Sequence, residues 1–166
     1  MKAQTKRLAV CAMTTALCVV LMWLGSVLDI GMYVSPIVSG FLLIPIRKQY
    51  GYKYLIAAWT ASGLLSLILV PNIEQNLLYI GLFGWYPALR EHLHKLPGLL
   101  RIAVKLIIFN AIVVLGEALV VNVLAPEIMP SWLAVLLLVL ANITFILYDY
   151  LLPRIEMLLS RFSKFY

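Results

Sequence analysis

Apolar positions along this chain gather into six long, nearly unbroken runs, at about 8–26, 30–46, 54–70, 75–90, 104–125 and 132–151. There is no strand-like alternation, and no single apolar stripe opposes a charged face as it would on a soluble helix. Each run is close to the ~20 residues a helix needs to cross a hydrocarbon core of about 30 Å. The pattern predicts a bundle of six transmembrane helices. Turn chemistry separates the runs: Gly25 with Ser26 and Gly31, then Pro71 with Asn72, then Pro126 with Pro130. Pro36 in the second run, and Gly81, Gly84 and Pro87 in the fourth, predict bent or broken helices. Beyond the last run, Ile155, Leu158, Leu159, Phe162 and Phe165 alternate with Arg154, Arg161 and Lys164, the pattern of a short amphipathic helix at a membrane surface over 153–166. The first run, 8–24, is longer than a signal-peptide core of about 7–15 residues and has no A-x-A site after it, so it reads as a span.

Composition sharpens this picture. The chain is 64% hydrophobic and 12% charged, with a mean hydropathy of +1.01, whereas soluble domains carry roughly 25% charged residues. Most of its surface therefore faces lipid. At 166 residues it reads as one membrane domain, 1–166, with no room for a soluble catalytic unit. The net charge of +6 would suggest nucleic acid in a soluble protein, but its distribution argues for topology instead. Lys2, Lys6 and Arg7 form one basic cluster, and Arg47, Lys48 and Lys53 a second. Arg90, Lys95, Arg101 and Lys105 form a third, and Arg154, Arg161 and Lys164 a fourth. Between them lie stretches without Lys or Arg, each with an acid near its midpoint: Asp29, Glu74 and Glu127. Positive residues stay on the cytoplasmic side. The map predicts three helical hairpins in a prokaryotic plasma membrane, both termini inside and acidic tips outside.

Polar groups within lipid are costly, so they are the first candidates for function. Glu117 falls in the outer half of the fifth run, where it is either a ligand contact or an interhelical strut. Asn110 lies one heptad before it, and Asn142 sits at mid-depth of the sixth run; both could bind ligand or join helices. Asp149, seven residues after Asn142, is expected to pair with Lys105 or Arg154. In the fourth run Asn76, Tyr79, Phe83 and Tyr86 recur at helical spacing and suit a small organic ligand as well as they suit packing. Trp85 and Tyr86, near the basic end, read as an interfacial aromatic belt. Ala12 and Ala16, with Ala9 before them, make a small-xxx-small surface that lets another helix approach. Cys11 and Cys18 are seven apart, about 10 Å along a helix, too far for a disulfide. The chain carries no phosphate-binding Gly-Lys loop, HExxH or GxSxG motif, so no enzyme chemistry, metal or cofactor is expected. His92 and His94 stand alone as an H-x-H without further ligands.

The opening Thr5, Lys6, Arg7, Leu8, Ala9 leading into Ala12, Met13, Thr14, Thr15, Ala16 resembles the alanine motif of the substrate-binding S components of energy-coupling factor (ECF) transporters. The stretches Phe83-Gly84-Trp85-Tyr86-Pro87 and Leu147-Tyr148-Asp149-Tyr150 are similar to members of the same group, and the resemblance covers the whole chain. It implies an all-α, six-helix S-component fold and a subunit that captures a vitamin or related micronutrient from outside. That subunit would dock through Ala9, Ala12 and Ala16 on a membrane coupling subunit driven by two separate ATPase subunits. It also implies a pocket in the outer half, which maps onto Tyr33, Asn76, Tyr79, Glu117 and Asn142. Two other readings remain open. One is a membrane scaffold resembling rod-shape-determining protein D, and the other a small stand-alone carrier.

Overall fold

A computed structural model of the protein describes residues 2–28, 31–93, 95–123 and 131–162, and every regular element among them is helical. α1 (Lys2–Val27) is one unbroken helix, and α2 (Val34–Leu42) and α3 (Ile44–Tyr50) follow it with only Leu43 between them. Next come α4 (Tyr52–Leu69), α5 (Ile73–Leu78), a π-turn (Tyr79–Phe83) and α6 (Tyr86–Leu93). Two long helices, α7 (Gly98–Val123) and α8 (Ser131–Phe162), complete the chain. Four stretches are long and apolar enough to cross a membrane: Gln4–Val27, Tyr52–Leu69, Gly98–Leu119 and Trp132–Leu158. They coincide with the first, third, fifth and sixth apolar runs. The second and fourth runs are helical in pieces. Asp29, Glu127, His94, Lys164 and Phe165 lie outside the described residues, as do the side chains of His92, Leu159, Arg161 and Phe162.

The breaks have local causes. Pro36 does not interrupt α2, because it sits in the first turn, where backbone N–H groups have no intrahelical partner anyway. The interruption falls at Leu43 instead. Pro45, two residues on, has no N–H to give the Phe41 carbonyl, and the Leu43 N–H turns to Gly40 O at 3.3 Å. Gly51 joins α3 to α4 with φ at 91°, a conformation that suits glycine. Asn72 caps α5, its side-chain oxygen accepting from the Gln75 N–H at 3.0 Å. In the fourth run the Gly84 N–H reaches back five residues to Tyr79 O at 2.9 Å, which defines the π-turn. Pro87 cannot donate to the Phe83 carbonyl, and the Tyr148 hydroxyl donates to that carbonyl instead, at 3.4 Å. The separate surface helix expected after residue 151 does not form: α8 runs through Pro153 to Phe162. Leu152 is fully buried and Ile155 packs on the core, so tertiary contacts carry the helix past the proline.

Side-chain contacts show that successive segments run in alternating directions. α1 packs on α2 and α4, with the Ser39 hydroxyl donating to Cys18 O at 3.3 Å and the Thr15 hydroxyl to Ala58 O at 3.5 Å. Cys18, Met22, Leu43, Leu55, Ala58 and Tyr79 form one core between these helices. Both cysteines are free and buried. A second core joins the π-turn and α6 to α7 and α8, where Phe109 stacks on Phe145 at 4.4 Å and Phe83 meets Tyr148 edge-on at 4.9 Å. Gly40 lets α2 touch the π-turn, since a β-carbon there would collide with the Phe83 carbonyl.

Candidate functional site

At one end of the bundle the basic clusters converge. Asp149 on α8 is the hub. Its carboxylate accepts from the Tyr86 hydroxyl at 2.8 Å, from Arg90 Nε at 2.9 Å, and from Lys105 Nζ at 2.8 and 2.6 Å. Three helices, α6, α7 and α8, are thus tied through one side chain. Lys105 is buried, so its ammonium depends on this carboxylate. The expected pairing with Lys105 is present. Arg154 instead bonds the Tyr150 hydroxyl and lies over its ring at 4.5 Å. Tyr86 is not part of an exposed belt: it is 1% exposed and belongs to the hub. Nearby, Arg47 donates to the Pro87 carbonyl, and Lys48 sits 3.8 Å from Glu156.

The opposite end carries the reverse charge. The turn before α2 meets the turn before α5, where the Asn72 amide lies 3.0 Å from Met32 Sδ. Tyr33 is exposed there, Glu117 is exposed on α7, and Glu74 is half-buried on α5, which packs along α7. Burial raises the Glu74 carboxyl above its ordinary range, and the Glu117 carboxylate raises it further. The field of both acids reaches the Tyr33 hydroxyl. Two of the five residues expected to bind ligand, Tyr33 and Glu117, are therefore brought together, with Glu74 as an addition.

The other three point elsewhere. Asn76 is buried, and its amide donates to Val70 O at 3.0 Å. Tyr79 is buried against Ser62, hydroxyl to hydroxyl at 2.6 Å. Asn142 closes a reciprocal pair with Asn110, each amide donating to the other's oxygen at 2.9 Å. Their remaining protons bond Leu138 O and Leu106 O, each at 2.8 Å, which ties α7 to α8. Gln75, which no sequence pattern singled out, is fully buried and joins three segments. Its amide donates to Met22 O at 2.7 Å and to Ser35 Oγ at 2.5 Å. Because the amide nitrogens are held by these acceptors, Gln75 Oε1 and Asn76 Oδ1 are left as buried acceptors without a protein donor among the described residues. Only its nearness to the capping turn could have drawn attention to Gln75.

Ala9, Ala12 and Ala16 are exposed on α1, flanked by exposed Met13, Leu17 and Val20. Ala12 and Ala16 share a stripe with Val19 and Trp23, at spacings of four, seven and eleven. Val19, Val20 and Trp23 line a shallow apolar groove with Leu69 of α4. Among the described residues no cluster of His, Cys, Asp and Glu could hold a metal ion. The chain matches no protein-family model, no curated protein and no solved structure.

Proposed function

We propose that the chain is the substrate-capture subunit of an ECF-type importer, a protein of the prokaryotic plasma membrane with six crossings and both termini inside. In this reading the second and fourth crossings, 30–46 and 75–90, are the ones built in pieces. The observation that carries it is the α1 surface: Ala9, Ala12 and Ala16 face outward, uncovered by any other helix of the chain, and lead into the groove at Trp23. Small residues on an exposed membrane helix favour close approach of a second helix, here that of a coupling subunit. The end with Tyr33, Glu74 and Glu117 would then face outside, where a vitamin-like nutrient arrives. The basic end would face the cytoplasm and two ATPase subunits. Energy comes from those subunits, since the chain has no nucleotide-binding loop of its own.

A scaffold is the second reading, favoured by the Asn110–Asn142 pair and by the inward-turned Asn76 and Tyr79, all of which serve as struts. Purifying the tagged chain from its native membrane separates the two. The capture reading expects a membrane subunit and two ATPases to accompany the wild type, and expects Ala12→Trp to lose them without loss of the chain itself. Copurification with cell-wall proteins instead, or ATPases retained by Ala12→Trp, would sink it.

A further inference from the structure

The α7–α8 hairpin is divided at the Asn110–Asn142 pair. On the basic side the helices are joined by Lys105 with Asp149 and by Phe109 stacked on Phe145 at 4.4 Å. Lys105, Phe109, Phe145, Tyr148 and Leu152 are all buried there. On the other side the packing ends. Of residues 114–119 and 132–140 none is buried, and all but Gly116, Leu133 and Leu138 are exposed. A β-carbon on Gly116 would meet nothing within 4 Å. Glu117 lies in this open half. Few buried contacts mean that little free energy opposes displacement. The helices themselves stay intact in lipid, because their backbone hydrogen bonds are internal. Displacement must then be of whole helix segments about the last fixed point, and that point is the amide pair, whose four amide protons are all bonded.

We propose that the open half of the hairpin is a hinged gate: the 132–140 half of α8 swings toward and away from the 114–119 half of α7 about the Asn110–Asn142 pair, covering and uncovering Glu117. Hinges of this kind place a few fixed residues between two rigid bodies. The gate requires no assumption about what the protein transports.

Pulsed electron paramagnetic resonance on the full chain in lipid nanodiscs tests it, with Cys11 and Cys18 replaced by Ser. One spin-label pair goes at Leu115 and Leu137 in the open half, and a second at Ile107 and Ile146 in the closed half, all four being exposed positions. The open pair is expected to give a distance distribution about twofold broader than the closed pair. Equal widths would overturn the proposal. Asn142→Leu then tests the pivot and should broaden the closed pair toward the open one; an unchanged closed pair rules out the amides as the hinge. If Asn142→Leu does not assemble, the two wild-type pairs decide alone. No ligand or partner subunit is needed, so a negative result leaves the transport reading untouched.

Discussion

The two ends of this bundle use charge in opposite ways. At one end a single carboxylate, Asp149, meets a buried ammonium, a guanidinium and a phenol from two other helices. At the other, Glu74 and Glu117 face each other with no Lys or Arg in the stretches that carry them, 54–89 and 106–153. Where the effective dielectric is low, attraction and repulsion are both stronger than in water. The first end is therefore closed by its charges and the second is held against them, by α5 packing on α7 and by the contact of Asn72 with Met32. Burial follows the same division. A third of the apolar window of α1 (33%) is buried within the chain, but only 11% of that of α7 and 17% of that of α8. Those two helices are fixed where the hub holds them and open where it does not.

The largest effect should come from Asp149→Ala. It strands the Lys105 ammonium in a buried site, and breaking such a pair costs about 3–5 kcal/mol. Thermal unfolding in detergent would register the loss, and a drop no larger than that of a surface mutation would remove the hub as the main clamp. Glu74→Gln should act in the reverse direction and be smaller. The folded carboxyl titrates above its ordinary value, so wild-type stability falls as pH rises from the ordinary glutamate range through the raised one. Above both, the penalty is complete, and Gln should raise Tm at neutral pH. The gain should fade as pH approaches the ordinary range near about 4.3. A lower Tm at neutral pH would show that Glu74 is stabilised by a partner instead of repelled. Lys48→Ala should change almost nothing, about 0–1 kcal/mol, because its pairing with Glu156 at 3.8 Å is solvent-exposed. A loss as large as that of Asp149→Ala would erase the distinction between buried and exposed pairs at the same end.

The charge map in the sequence anticipates much of this. Arg47, Lys48, Arg90 and Lys105 do gather at one end through their contacts with Pro87, Glu156 and Asp149. Asp149 with Lys105 was readable because both fall at the same depth of adjacent runs. The four long helices were readable for the same reason that hydropathy works at all: twenty apolar residues leave few alternatives. What could not be read is rotation. Apolar runs this uniform do not say which side of a helix faces a neighbour, so Tyr86 looked like a belt residue and Tyr79 like a pocket wall. Nor does a proline announce its effect. Pro36 is harmless in a first turn, Pro45 ends a helix, and Pro153 is overridden by Leu152 and Ile155 packing on either side.

The π-turn at Tyr79–Phe83 carries a consequence for that rotation. It holds one residue more than an α-helical turn, and each residue advances a helix by about 100°. Everything after it is therefore indexed by a single inserted position. Removal of one residue from 79–83 would restore a regular helix and swing α6 round by about a quarter turn, taking Tyr86 and Arg90 off Asp149 together. The reading frame of the hub, in a geometric sense, is set one turn upstream of its first donor, by a residue that touches none of its charges.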